Sequence, residues 1–232
     1  MDPLRSELLE LSRSLRRRLE DCPPPASLPR PLPAAGSFES LARRVKDCRL
    51  CPLGSTRLNA VFGVGSPNAK VLFIGEGPGF EEDRKGEPFV GKSGQLLDKI
   101  MAAIGLSRES VFIANIVKCH PMKDPAHPEA RGNDRPPSPD EIAACRPYLD
   151  EQIGLIGPKV IVTLGAVPAR VLLGTDEPIS RIRGRWRSYE PRDGGAPVKL
   201  LPTFHPAALL RNPELKRDVW TDMKNLRKEL EQ

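Results

Sequence analysis

Apolar residues recur along the chain in two patterns, short continuous runs and helix-length amphipathic segments. From residue 38 onward the two alternate, as is typical of an α/β domain. Four runs rich in Val and Ile have the nearly continuous apolar character of buried parallel strands, namely residues 71–76, 111–118, 160–165 and 199–205. Helices are expected at residues 93–104, 139–156, 167–173 and 215–230. The pattern predicts a three-layer α/β/α fold around a four-stranded, mainly parallel sheet.

The N-terminal segment has a different pattern. Five leucines follow helical spacing on one face of a predicted amphipathic helix over residues 1–21, at positions 4, 8, 11, 15 and 19. Six prolines lie among residues 22–36, which favours an extended linker over residues 22–37 before a domain at 38–232. The helix either docks on that domain or binds a protein partner, and the pattern leaves both open.

Composition narrows the class of protein. Hydrophobic residues make up 39% and charged residues 28% of the chain, which is enough to form a core. No apolar stretch is long enough to span a membrane, and the N-terminus lacks a secretory signal, so a soluble cytoplasmic protein is expected. A monomer is expected as well. The net charge of +6 favours a polyanionic partner such as nucleic acid.

Four of the five cysteines are candidate metal ligands. Cys48 and Cys51 lie three residues apart before a proline, and Cys119 and Cys145 complete a possible set of four. The spacing suits zinc and a [4Fe–4S] cluster equally well, and ordinary buried cysteines are the remaining interpretation. Cys22 lies in the linker and is expected to be a free thiol.

A glycine-rich loop, GEGPG at residues 75–79, follows the first predicted strand. Dinucleotide binding is excluded, because Phe80 occupies the position of the last glycine of that fingerprint and the acidic residues 81–83 would repel a pyrophosphate. The loop is therefore either a structural turn or a contact for a neutral, planar ligand.

Two polar residues stand out at predicted strands. Asn115 lies inside an apolar strand, so it is either an amide satisfied within the core or a residue that reads a ligand. His205 ends the last strand, at the edge where open α/β sheets collect their sites. The Pro-rich loop 120–138 is expected to be an external excursion, with His120 and His127 solvated.

Taken together, these motifs carry a family resemblance. The chain resembles the iron–sulfur uracil-DNA glycosylases, family 4 of that superfamily, from about residue 38 to its end. The resemblance rests on Cys48-x-x-Cys51, GEGPGFEED (75–83), GEPFVGKSGQLL (86–97), NIVKC (115–119), Cys145, VTLG (162–165) and HPAALLRNP (205–213). The loop between Cys119 and Cys145 looks longer than is usual in that family.

The resemblance implies hydrolysis of the N-glycosidic bond of uracil in DNA, which leaves an abasic site. It implies that Phe89 stacks on the flipped uracil, that Asn115 reads its edge, and that His205 donates to uracil O2. Gly77 takes the position where other branches carry Asp or Asn, which leaves Glu76 as the nearest carboxylate. Whether Glu76 orients water, shapes the pocket or holds the loop stays open.

The resemblance also bears on the cofactor and on DNA binding. It implies that Cys48, Cys51, Cys119 and Cys145 hold a [4Fe–4S] cluster of structural purpose, and that the loop of Leu209, Leu210 and Arg211 enters the minor groove of uracil-containing DNA. Independently, Arg181, Arg183, Arg185 and Arg187 alternate with other residues, which on a strand would put four guanidinium groups on one face. That face would contact phosphates or simply be solvated.

Two alternatives remain at this point. The related branch that becomes covalently trapped on uracil-DNA carries a Lys-Arg-Arg-Ile-His insert, whereas the corresponding loop here contains His127 without the basic tract. The second alternative is a non-catalytic iron–sulfur DNA-binding module. Turnover on a uracil-containing oligonucleotide distinguishes them.

Overall fold

A computed structural model describes residues 37–192 and 194–231, all within one compact unit. The helix expected at 1–21 and nearly all of the linker lie outside the described residues. The described part is a mixed α/β fold with helices on both faces of a sheet, as the sequence predicts.

The sheet has six strands in the order β1-β3-β2-β4-β6-β5. Their bounds are β1 Val64–Gly65, β2 Val71–Gly75, β3 Phe112–Asn115, β4 Val160–Leu164, β5 Arg187–Tyr189 and β6 Val198–Thr203. The four central strands are parallel and match the four predicted runs, while β1 and β5 pair antiparallel at the edges. The prediction of four strands was therefore incomplete, because edge strands of two and three residues are too short to show a period.

The helices agree with the sequence where they are long. They span Phe38–Asp47, Leu53–Thr56, Phe80–Lys85, Lys92–Ala102, Pro139–Ile156, Ala166–Leu173, Ile179–Ile182, Pro206–Arg211 and Leu215–Leu230. The predicted helices 139–156 and 215–230 are confirmed to the residue, and those at 93–104 and 167–173 to within two residues. The five other described helices were not predicted, because most of them are one or two turns long and too short to show a hydrophobic period. None of these described helices is long and apolar enough to cross a membrane.

Local capping explains why the longest helix begins and ends where it does. The Ser138 hydroxyl accepts from the Glu141 amide at 3.2 Å, and the Glu141 carboxylate accepts from the Ser138 amide at 2.7 Å. Pro139 occupies the first turn, where its missing N–H costs nothing. Gly157 ends the helix in the left-handed conformation. These signals fix the helix that carries Cys145.

The core divides between the two faces of the sheet. Val71 and Phe73 of β2 belong to a buried cluster with the helices Lys92–Ala102 and Leu215–Leu230. Because side chains alternate along a strand, the intervening Leu72 and Ile74 face the opposite layer. Burial on both faces leaves the carboxyl ends of the parallel strands as the accessible edge.

The four alternating arginines do not share a strand face, so that prediction was wrong. Arg181 lies in the helix Ile179–Ile182, Arg183 caps its end, and Gly184 then turns the backbone with a φ of 69°. Only Arg187 lies on a strand. Arg181 and Arg185 are exposed, whereas Arg183 is directed into the protein.

Arg183 forms a structural ion pair. Its Nε donates to the Asp222 carboxylate at 3.0 Å, and a second guanidinium nitrogen also contacts that group. Asp222 is completely buried and also accepts from the Thr203 hydroxyl at 2.6 Å. Asp222 on the helix Leu215–Leu230 therefore binds both the end of the helix Ile179–Ile182 and the end of β6.

We expect Arg183→Ala to lower the free energy of unfolding by about 3–5 kcal/mol, because it leaves the buried Asp222 carboxylate without its cation. Urea unfolding followed by circular dichroism measures this. Arg181→Ala, in the exposed neighbouring helix, is the matched control and should stay within about 0.5 kcal/mol of the parent. An Arg183→Ala chain that unfolds at the parental urea concentration would contradict the structural role.

Candidate active site

A cavity of about 440 Å³ opens at the carboxyl edge of the parallel sheet. Its walls come from the loops that follow β2, β3, β4 and β6. Six of the residues singled out in the sequence line it together: Glu76, Gly77, Phe89, Asn115, His205 and Arg211. Because the carboxyl ends of the parallel strands meet at one edge of the sheet, residues far apart in sequence come together there.

Asn115 ends β3 and has an unsatisfied polar atom. The residue is 2% exposed, and its Oδ1 has no hydrogen-bond partner among the described residues. An amide satisfied within the core would have such partners, so of the two interpretations left open by the sequence, the geometry favours a ligand reader. Its register partner is Gly75, where an added Cβ would lie 2.4 Å from Oδ1. The glycine is needed to make room for the amide.

Phe89 packs over the same glycine in a strained backbone conformation. Its φ of 55° lies in the left-handed region, which is uncommon for a bulky residue and is often found at functional sites. Arg108 holds this turn by donating to the carbonyls of Pro88 and Phe89. On the other side, the Val90 amide donates to Glu82 at 2.9 Å. These bonds fix one aromatic wall of the cavity.

His205 provides a neutral donor. Burial, with the positive charge of Arg211 as a second cause, lowers the pKa of His205 to about 4. Its Nδ1 accepts from the Ala207 amide at 3.1 Å and thereby caps the helix Pro206–Arg211. The proton of the neutral ring therefore resides on Nε2. The ring lies 5.5 Å from the Phe89 ring, at an interplanar angle of 31°.

The loop after β2 supplies both a carboxylate and space. An added Cβ at Gly77 would lie 2.8 Å from Val117 Cγ2, so a side chain there requires Val117 to move. Burial raises the pKa of Glu76, and no group in the described part of the chain donates a hydrogen bond to its carboxylate. Glu76 is thus a partly buried acid beside the cavity.

The structure also places at the cavity a carboxylate that the sequence did not suggest. Asp134 lines it, and its Oδ1 lies 2.7 Å from His120 Nε2. His120 is completely buried, so its predicted solvation was wrong: the start of the loop folds inward, and Asp83 lies 3.8 Å from the other ring nitrogen. His127 is exposed, as predicted. No sequence periodicity marks this contact, since His120 and Asp134 lie 14 residues apart in one irregular loop.

The residues expected to contact DNA differ in exposure. Leu210 is 48% exposed, whereas Leu209 is 1% exposed and packs in the core. Arg211 lines the cavity, while Arg181 and Arg185 are exposed outside it. A wedge role therefore fits Leu210 and does not fit Leu209 in this arrangement.

The four candidate metal ligands line a second, small pocket. Cys48 and Cys51 precede the helix Leu53–Thr56, Cys119 follows β3, and Cys145 lies on the helix Pro139–Ile156. Burial raises the pKa of Cys51 and Cys119, and raises that of Cys145 to about 12. Within residues 37–192 and 194–231, no three metal-ligating side chains converge as a single bound ion would require.

Donors to sulfur surround these cysteines. Arg57 Nη1 lies 2.8 Å from Cys119 Sγ, and the Lys118 amide donates to Cys145 Sγ at 3.3 Å. Such donors stabilise thiolates and tune iron–sulfur centres. Four thiols on one pocket, with N–H donors to sulfur, form a donor set suited to a metal centre bound through sulfur.

Comparison with known proteins agrees with the geometry. Residues 62–224 match the family model of the uracil DNA glycosylase superfamily. A type-4 uracil-DNA glycosylase of Archaeoglobus fulgidus is 40% identical over 194 residues, covering 82% of this chain and 92% of the relative. One from Thermotoga maritima is 42% identical over 189 residues, covering 80% and 91%.

A more distant relative is a type-5 uracil-DNA glycosylase of Thermus thermophilus, 28% identical over 167 residues that cover 58% of this chain and 71% of the relative. The type-4 matches are both stronger and longer. By motif, cavity and comparison, the chain belongs to the type-4 uracil-DNA glycosylases of the uracil DNA glycosylase superfamily.

Proposed function

We propose that this uracil-DNA glycosylase takes a flipped uracil into the cavity at the carboxyl edge and releases it with Phe89, Asn115 and His205. Its class is that of hydrolases acting on N-glycosyl bonds. The observation that carries the assignment of the site is the convergence of these three residues on one cavity. The volume of about 440 Å³ lies in the range of about 300–1,000 Å³ usual for ligand pockets.

Recognition follows from the unpaired amide. Asn115 can accept from uracil N3–H through Oδ1 and donate to O4 through Nδ2, while the base stacks on Phe89. Cytosine has the opposite donor and acceptor pattern at these two positions. A fixed amide would leave polar groups unmet on both sides, and sites built around hydrogen bonds reject such analogues strongly.

Catalysis follows from charge development on the leaving base. As the glycosidic bond breaks, negative charge gathers on the uracil, and a preorganised donor stabilises it. Nε2–H of the neutral His205 fits this role toward uracil O2, because Nδ1 is already occupied by the Ala207 amide. Glu76 supplies a partly buried carboxylate beside the same loop.

DNA binding is assigned to the exposed residues around the cavity. Arg211 at the cavity and the exposed Arg181 and Arg185 neutralise phosphates. Leu210 is the side chain that can fill the stack left by the base. Arg183 and Leu209 have structural roles instead.

Cys48, Cys51, Cys119 and Cys145 would hold a [4Fe–4S] cluster. Four thiols on one pocket with N–H donors to sulfur support this assignment. A cluster held by these cysteines would cross-link three separate segments of the domain. The covalently trapping branch is not favoured, because His127 is exposed and does not line the cavity.

Asn115→Ala should lower kcat/KM on uracil-containing DNA by about 10²-fold or more, since it removes two hydrogen bonds at about 1–3 kcal/mol for each unmet polar group. Single-turnover uracil release measures the loss. Binding of a uracil-free duplex should stay at the parental level, because it depends on phosphates. The exposed Asn68→Ala is the matched control, and parental uracil release by Asn115→Ala would refute the assignment.

The rate of uracil release should be level between pH 8 and 6 and should fall as the pH approaches about 4. The pKa of His205 is depressed from 6.5 to about 4, so the neutral donor persists until that range. Protonation then places a second proton on Nδ1, where the Ala207 amide already donates. Single-turnover rates across pH test this, with the exposed His127→Gln as control. A rate that rises as pH falls through 6.5 would show that the imidazolium is the active form.

The purified chain should be brown and contain iron and sulfide in equal amounts, with four of each per chain. Cys145→Ser should lose most of the iron and unfold at a lower temperature, because cluster binding contributes to folding free energy. Cys22→Ser should keep the full iron content. Colourless protein with one zinc per chain would contradict the cluster while leaving the glycosylase assignment intact.

A further inference from the structure

The cavity contains a carboxylate without an assigned role. Asp134 lines it beside the reading and donating residues, and its side chain is 56% exposed. His120 Nε2 lies 2.7 Å from Oδ1. An ionised carboxylate has about four acceptor positions, so this one donor leaves capacity for a water molecule.

The other two carboxylates lining the cavity are less suited to act on water. Glu82 is occupied by backbone amides, with Oε1 accepting from Val90 and Gly91 and Oε2 from Gly79. Glu76 has no hydrogen-bond donor among the described residues that would fix its carboxylate in one orientation. The Asp134 carboxylate is fixed, because the buried His120 ring lies 2.7 Å from its Oδ1.

We propose that Asp134 is a catalytic residue that orients the attacking water and accepts its proton, and that His120 is the residue that positions it. This inference rests on the proposed function of the cavity. It assigns the group that activates water, a role that the sequence motifs leave open.

The step balances as a hydrolysis. The bond between C1′ and uracil N1 breaks, and its electron pair leaves with the uracil, stabilised by His205. The water oxygen forms the new bond to C1′ while one of its protons passes to the Asp134 carboxylate. Asp134 then returns that proton to solvent, and the uracil anion is protonated by solvent. The products are free uracil and an abasic site.

His120 is held firmly enough to position Asp134. Its ring is completely buried, and the Asp83 carboxylate lies 3.8 Å from Nδ1, an electrostatic contact beyond hydrogen-bond distance. Asp83 is itself fixed by the backbone amides of Leu58 and Asn59, which donate at 3.0 and 3.1 Å. Asp134 is therefore tied to the packed interior of the domain although it lies on a long loop.

The test compares Asp134→Ala with Asp124→Ala in single-turnover release of uracil by the full chain. Asp124 is an exposed carboxylate of the same loop that also hydrogen-bonds a histidine, and it does not line the cavity. We expect Asp134→Ala to lose about 10²-fold or more, as removal of a general base does, and Asp124→Ala to keep the parental rate. Affinity for uracil-containing DNA should change less than threefold in both.

Sodium azide separates a chemical role from a structural one. Azide is an anionic nucleophile that needs no deprotonation, so it should accelerate Asp134→Ala at least tenfold by forming the azide adduct at C1′, without accelerating the parent. An Asp134→Ala chain that releases uracil at the parental rate overturns the inference. So does a slow chain that azide does not accelerate, because Asp134 then only supports the fold. Absence of uracil release by the parent would overturn the proposed function itself.

Discussion

No side chain larger than hydrogen fits at Gly75, and the cavity at the carboxyl edge of the sheet depends on that space. An added Cβ would lie 2.4 Å from the Asn115 amide and 2.6 Å from the Phe89 ring. The parallel register places Gly75 of β2 beside Asn115 of β3, at the last paired position of the two strands. The space left by the missing side chain of Gly75 is occupied by the Asn115 amide. A buried amide oxygen without a partner costs about 1–3 kcal/mol. The fold carries that cost, and in the proposed function the N3–H of a bound uracil would relieve it.

Much of the fold could be predicted because local signals and burial agree. Continuous apolar runs identify the four parallel strands, and the Ser138 and Gly157 caps delimit the longest helix. Once the strands are known to be parallel, their carboxyl ends must meet at one edge, which accounts for the proximity of Asn115 and His205. The family resemblance added Phe89, which no periodicity marks.

The rest depends on contacts between segments distant in sequence. An alternating arginine pattern looks like a strand, but Gly184 turns the backbone and Asp222 binds Arg183. His120 lies in a Pro-rich loop whose composition predicts solvent exposure. Its burial depends on the Asp83 and Asp134 carboxylates beside its ring, and neither contact is visible in the sequence. Leu209 and Leu210 are chemically identical neighbours, and the helix alone decides which of them faces solvent.

The two edge strands have a consequence for self-association. A parallel sheet that ended in long, flat, apolar strands would present rows of unpaired backbone groups to other chains. Here the sheet ends in two residues on one side and three on the other, both antiparallel to their neighbours. The outer strand at one end begins with a charged residue, Arg187, and continues with the exposed Ser188. The sheet thereby offers little template for β-aggregation.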